Sequence, residues 1–106
     1  MKKDKKKKFD KYEQESIAED IFDFHGLGSL MEEEIKDYAY KFLWQAYQRH
    51  LYKVRIITGK GLHSKNGPVI KPIVEQYARS LPFVHFVTTA KYNEGGAGAL
   101  DITFSY

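Results

Sequence analysis

Three glycine-containing motifs, each placed at the end of an apolar run, constrain this chain more than any other feature. Asp23-Phe24-His25-Gly26 closes the run Ile21 to Phe24, Thr58-Gly59-Lys60-Gly61 follows Val54 to Ile57, and Gly95-Gly96-Ala97-Gly98 lies downstream of Phe83 to Val87. Short apolar runs bounded by turn residues read as buried strands. If they are parallel strands joined by helical crossovers, their carboxyl ends share one sheet edge, which is where open α/β folds bind ligands. An acid, an imidazole, a lysine and several glycines would then meet at one site.

The segments between the motifs fit that arrangement. Ser29-Leu30-Met31-Glu32 has the spacing of a capping box and predicts a helix starting near Ser29, with glutamates in its favourable first turns. Met31, Ile35, Tyr38, Ala39, Phe42 and Ala46 recur at helical spacing as its buried face. A strand follows over Lys53 to Thr58. Pro68 and Pro72 bracket the start of a second helix with the stripe Ile70, Ile73, Val74, Tyr77 and Leu81, and Pro82 stops it. In the last strand Leu100, Ile102 and Phe104 alternate with Asp101, Thr103 and Ser105, a pattern that suits an antiparallel strand with one solvated face. The expected fold is α/β, a two-layer β-α-β-α-β-β sandwich with a mixed four-stranded sheet. Residues 13–106 form the domain, and residues 1–12 a basic, disordered tail. Tyr40, Trp44, Tyr47 and Leu51 fall off the first-helix stripe, so the lead-in residues Phe9, Tyr12 and Ile17, or a second copy of the chain in a homodimer, would have to cover them.

Composition narrows the class. A chain of 106 residues supports a single core. With no cysteine, neither disulfides nor thiolate metal sites are available, which suits a reducing, cytoplasmic setting. No apolar run approaches the ~20 residues of a membrane span, so no membrane partner is expected. The net charge of +3 is unevenly distributed: residues 1–11 hold seven lysines against Asp4 and Asp10, and between Asp37 and Glu75 stand seven basic residues and no acidic one. Those seven are Lys41, Arg49, Lys53, Arg55, Lys60, Lys65 and Lys71. A positive stretch around the glycine loop is what a polyanion requires.

The motifs also suggest chemistry. Glycines let backbone N–H groups approach a phosphate closely, and a following helix N-terminus adds positive potential, so Gly59-Lys60-Gly61 reads as a phosphate cradle. The P-loop pattern is absent, because Gly67 is followed by Pro68. Asp23 and His25 lie two apart on a strand, with Cα atoms roughly 6.5 Å apart and side chains on one side. They suit either proton transfer, with His25 as general base or acid oriented by Asp23, or a divalent ion such as Mg²⁺ or Mn²⁺ that activates water. A structural role, with Asp23 capping the turn, uses the same spacing. His63 can approach a phosphate beside the loop, and a metal set of His25, His63 and Asp23 matches no established ligand spacing. His50 falls at a helix end, where a cation suits the dipole, and His85 lies within a strand.

Taken in order, Asp-x-His-Gly after the first strand, Thr-Gly-x-Gly after the second and Gly-Gly-x-Gly before the last resemble the three signatures of the Smr (small MutS-related) domain, over residues 20–105. The resemblance implies a fold similar to the C-terminal domain of bacterial translation initiation factor three, and an endonuclease or nucleic-acid-binding activity. Some members nick DNA, others cut RNA, and some act on messenger RNA at stalled ribosomes. It further implies catalysis by Asp23 and His25, and a phosphate- or nucleic-acid-binding surface of Gly26, Thr58, Gly59, Lys60, Gly61, His63, Ser64, Lys65, Gly95, Gly96 and Gly98. Two departures stand out: Phe22 and Phe24 replace the usual leucines, and Thr58 stands where many members carry histidine. RNA cleavage is the expectation, with DNA nicking and a noncatalytic nucleic-acid- or ribosome-binding module as alternatives. An interaction domain working through its Trp44 face is a further one.

Overall fold

The computed structural model describes residues 17–59 and 69–106. The tail 1–12, together with Lys60, Gly61, His63, Ser64, Lys65 and Pro68, lies outside the described residues. The elements follow in the order β1 (Ile21–Asp23), α1 (Glu32–Gln48), β2 (Lys53–Ile57), α2 (Ile70–Ser80), β3 (Val84–Thr89) and β4 (Ala99–Phe104), with two 3-10 turns, Tyr92–Glu94 and Gly96–Gly98, before β4. They build the expected mixed four-stranded sheet, in the order β1-β2-β4-β3. β1 pairs parallel with β2, and β4 runs antiparallel to both β2 and β3. β1, β2 and β3 therefore point the same way, and all three motifs meet at one edge.

Helix α1 begins at Glu32, beyond the start expected at Ser29. The chain first turns through Gly26 and Gly28, and the cap forms at Met31, whose N–H donates to Glu34 Oε1 at 2.8 Å. This is the reciprocal half of a capping box, shifted along the chain. Glu32, Glu33 and Glu34 fill the first turn, where the helix dipole favours carboxylates. Ile35, Ala39, Phe42 and Ala46 are buried as their spacing suggests, but Met31 is 71% exposed and Tyr38 40%. Met31 precedes the helix and so cannot join its stripe. Leu43, wholly buried, completes the row instead.

In α2, Val74 and Ala78 are wholly buried and Ile70, Ile73, Tyr77 and Leu81 pack around the same core. Phe24 is buried and Phe22 packs on it with ring centroids 5.0 Å apart, so the two phenylalanines anchor β1 to α1 as leucines would. Against the helices the sheet presents Val54, Ile56, Leu100 and Ile102, all wholly buried. Burying each such side chain contributes about 1.5–3 kcal/mol.

β4 departs from the expected alternation, because both of its faces are buried. Asp101 and Thr103 are covered rather than solvated, since β4 is central and β2 sets Lys53 and Arg55 beside them. Asp101 accepts from Arg55 Nε at 2.6 Å and from a second guanidinium nitrogen at 3.1 Å, and Lys53 Nζ lies 3.7 Å from it. Arg55 also reaches Glu94 at 3.2 Å. The hydrogen bond to Asp101, against the opposing effect of burial, holds the Arg55 guanidinium above its ordinary pKa.

These pairings also occupy part of the basic stretch. Lys41 pairs with Asp37 and Arg49 with Asp20, each at 3.0 Å, while Lys53 and Arg55 face inward on Asp101. Among the described residues of that stretch only Lys71 has no carboxylate partner, and two of the partners, Asp20 and Asp101, are distant in sequence from the cations they meet.

The off-stripe aromatics find part of their cover at the other end of the chain. Tyr40 and Trp44 stack in parallel, 6.2 Å apart, Phe83 packs edge-on against Trp44 at 5.2 Å, and Tyr106 stacks on Tyr47 at 5.2 Å. Ile17, expected to fold back on this face, is 80% exposed.

Candidate functional site at the glycine-rich sheet edge

At the carboxyl ends of β1 and β2 opens a cleft of about 620 Å³. Asp23, Phe24, His25, Gly26 and Gly28 line it from one side, Ile57, Thr58 and Gly59 from the other, and Ile70 from the start of α2. The two walls are joined by the parallel ladder, in which Phe24 N–H donates to the Ile57 carbonyl at 2.9 Å. Alternation on β1 sends Phe22 and Phe24 to the core, leaving Asp23 and His25 exposed at the edge. The Asp23 carboxylate accepts the His25 backbone N–H at 2.8 Å through Oδ1. That bond fixes the acid and forms the turn that starts the first motif's loop.

Gly59 carries the second wall. Its φ of +79° is one L side chains rarely adopt, and no atom of the other described residues lies within 4 Å of the place a Cβ would occupy. The backbone is thus both unusual and open to close approach. Ile70 opens α2, so that helix's first N–H groups lie at the cleft, and its first turn holds no acidic residue. An anion is favoured there.

The third motif braces the second from behind rather than lining the cleft among the described residues. The Gly98 carbonyl accepts from Thr58 N–H at 2.9 Å, Gly59 N–H at 3.0 Å and Thr58 Oγ1 at 3.4 Å. Thr58 is buried, and its hydroxyl also donates to the Gly59 carbonyl at 3.0 Å. Gly95 has φ +117°, and a Cβ there would lie 2.7 Å from that of Ala99. Gly96 shares the positive φ, and Gly98 is buried. Lys71 Nζ donates to the Ala97 carbonyl at 2.9 Å and to Thr89 Oγ1 at 3.3 Å, latching the loop to α2 and β3.

Of the residues singled out from sequence, Asp23, His25, Gly26, Thr58 and Gly59 come together at the cleft. His50 is not among them: it sits in a left-handed conformation after α1 and stacks on Tyr106 at 4.9 Å. His85 packs beside Phe86 at 5.0 Å. Gly28, Ile57, Ile70 and the Lys71 latch were not singled out for the site. Gly28, two residues beyond the first motif, and Ile70, just past Pro68, were visible as punctuation, whereas the Lys71 contact depends on how α2 packs and has no local signal.

A two-layer α/β domain with a glycine-rich cleft at one edge of its sheet is the class that this fold and site define. The model of the Smr domain family matches residues 22–105, and the chain belongs to that family. An uncharacterized protein of Treponema pallidum (strain Nichols) is 34% identical over 83 residues, covering 78% of this chain and 40% of that protein. Endonuclease MutS2 of Carboxydothermus hydrogenoformans is 35% identical over 80 residues, 76% of this chain and 9% of its own length. The chain thus spans less than half of either relative. Among solved structures, the Smr domain of Thermus thermophilus MutS2 superposes with a TM-score of 0.69 at 21% identity, covering 82% of this chain and 99% of that one. YdaL, a stand-alone small MutS-related protein from Escherichia coli, gives 0.68 at 24% identity, with 81% and 64% covered. These likenesses establish the fold. No described helix is long and apolar enough to cross a membrane.

Proposed function

We propose that the domain binds nucleic acid across the sheet edge and cleaves its phosphodiester backbone, acting on RNA through His25. The observation that carries this reading is the single cleft in which Asp23 and His25 face the open Gly59 backbone and the start of α2. The relative named Endonuclease MutS2 supports the same class of reaction.

Backbone N–H groups of the first turn of α2 hold the phosphate, which the side-chain-free Gly59 backbone lets approach, and offset the charge that develops on it. The His25 imidazole takes the proton of a ribose 2′-hydroxyl. As the 2′-oxygen bonds to phosphorus, the bond to the 5′-oxygen breaks, and that oxygen takes up a proton from solvent. The products are a 2′,3′-cyclic phosphate and a 5′-hydroxyl. Asp23 is the positioning group, since its bond to the His25 N–H sets the turn from which the imidazole projects.

A divalent ion fits the described residues poorly. No three of their His, Asp or Glu side chains converge, and Asp23 commits one oxygen to the backbone. The oxygen-rich cage that Mg²⁺ or Mn²⁺ prefers is not formed by them.

The test is cleavage of end-labelled RNA and of the all-deoxy strand of the same sequence, in excess chelator, with the product ends analysed. Cyclic phosphate ends from RNA alone, lost in His25→Ala, are expected. Activity that needs added Mg²⁺ or Mn²⁺, or equal cutting of both strands, would overturn the mechanism. The Asp23 bond to the His25 backbone also suits a noncatalytic binding module, and binding without cleavage of either strand would establish that reading instead.

A further inference from the structure

Six of the eight lysine and arginine side chains among the described residues pair with a carboxylate: Lys36, Lys41, Arg49, Lys53, Arg55 and Arg79. The two that do not, Lys71 and Lys91, both flank the loop that carries the third glycine motif. Lys71 uses two of its three N–H groups on the Ala97 carbonyl and Thr89 Oγ1, which leaves one for an anion. Lys91 is exposed and makes no ion pair among the described residues.

Next to Lys91 stands Tyr92, 96% exposed, the most exposed large hydrophobic side chain described. Its turn is nonetheless firmly held. Glu94 N–H and Gly96 N–H both donate to the Lys91 carbonyl, at 2.8 and 2.9 Å, and the Glu94 carboxylate is tied to Arg55. The fold therefore projects an aromatic ring into water from a braced turn, although Tyr92 packs against no core residue.

This turn follows β3, so it lies at the same edge as the cleft. Between β1 and β3 lie three strand spacings of about 4.8 Å, roughly 14 Å in all. A short stretch of single strand bridges that distance.

We propose that Tyr92, Lys91 and Lys71 form a second binding element beside the cleft, in which Tyr92 stacks on an unpaired base and the two ammonium groups hold adjacent phosphates. The proposal rests on the nucleic-acid reading above and deepens it by naming the substrate as single-stranded. In a duplex the base faces are already stacked, whereas an unpaired base offers its face to an aromatic side chain.

The experiment is a fluorescence anisotropy titration of the full chain with a labelled single-stranded oligoribonucleotide of mixed sequence and with its fully paired duplex, at several salt concentrations. Tyr92→Ala should weaken single-strand binding by about 5- to 150-fold, the range that base–aromatic stacking covers, while Tyr92→Phe retains it and duplex binding is unchanged. Lys91→Gln should lower the single-strand salt slope by about 0.7 and leave the preference for single strands intact. Thermal unfolding of Tyr92→Ala should match the parent chain, given the exposure of the ring.

Unchanged single-strand binding by Tyr92→Ala, or equal losses on single strand and duplex, would overturn the proposal and leave the nucleic-acid reading standing. If the parent chain binds neither oligonucleotide, the nucleic-acid reading itself falls, and this proposal with it.

Discussion

Asp23 gives one carboxylate oxygen to the His25 backbone rather than to its ring, so the pair is arranged by a turn and not by direct side-chain contact. Asp23→Asn keeps an oxygen acceptor for that N–H and should lower cleavage less than His25→Ala. The latter should cost at least about 100-fold in rate, the usual scale for losing a general base, with cooperative unfolding retained in both. Equal, small effects would remove His25 from the chemistry. Gly95 offers a purely structural contrast. Its positive φ and the 2.7 Å approach to Ala99 mean that Gly95→Ala strains the loop, and a loss of about 1–3 kcal/mol is expected in denaturant unfolding. Tyr106 gives a pH signature. Burial, then Tyr47 and Glu19, raise its phenol above the ordinary value, and its hydroxyl donates to the Leu51 carbonyl. Because the folded state favours the protonated phenol, this stabilisation is complete below the ordinary phenol pKa of about 10 and is lost as pH rises through the raised value. The stability difference between the parent chain and Tyr106→Phe should therefore shrink in strongly alkaline buffer.

Among the elements, β4 holds the sheet together, because it is paired on both sides and buried on both faces. Removing charge from Asp101 leaves Lys53 and Arg55 under cover without their main partner, and Asp101→Asn should cost about 3–5 kcal/mol, measured by urea unfolding. The element order, the second-helix stripe and the shared edge of the motifs were all legible in the sequence, since each rests on local periodicity or punctuation. The sequence pattern puts Asp101 on a solvent-facing side, because alternation distinguishes two faces but does not say what covers the second. The covering partners come from β2, nearly half the chain away. The same limit applies to the basic stretch, whose partners Asp20 and Asp101 lie outside it, and to Thr58, whose hydroxyl turns inward only because Gly98 folds behind it. The cleft's first two walls were readable as motifs, whereas the bracing by the third is a property of the assembled edge.

For the molecule as a whole, the proposed function together with the lysines that the sequence sets beside the second motif and in residues 1–12 implies that binding strength and cutting position are separable. Lys60→Ala should weaken binding to all sequences alike and reduce the salt slope by roughly one, and deleting residues 2–8 should reduce it further without moving the cleavage site. A changed sequence preference at constant slope would contradict this. The pairing order of the sheet has one more consequence. β1 has only three residues and borders a single neighbour among the described residues, yet it ends at the acid, two residues before the imidazole, while β4 is locked between two partners. Amide hydrogen exchange should therefore release Phe22 and Phe24 at a much lower free energy than Leu100 or Ile102. If the cleft binds nucleic acid as proposed, an oligonucleotide that grips both walls would close that gap, and the order of β1 would be set by what the cleft holds.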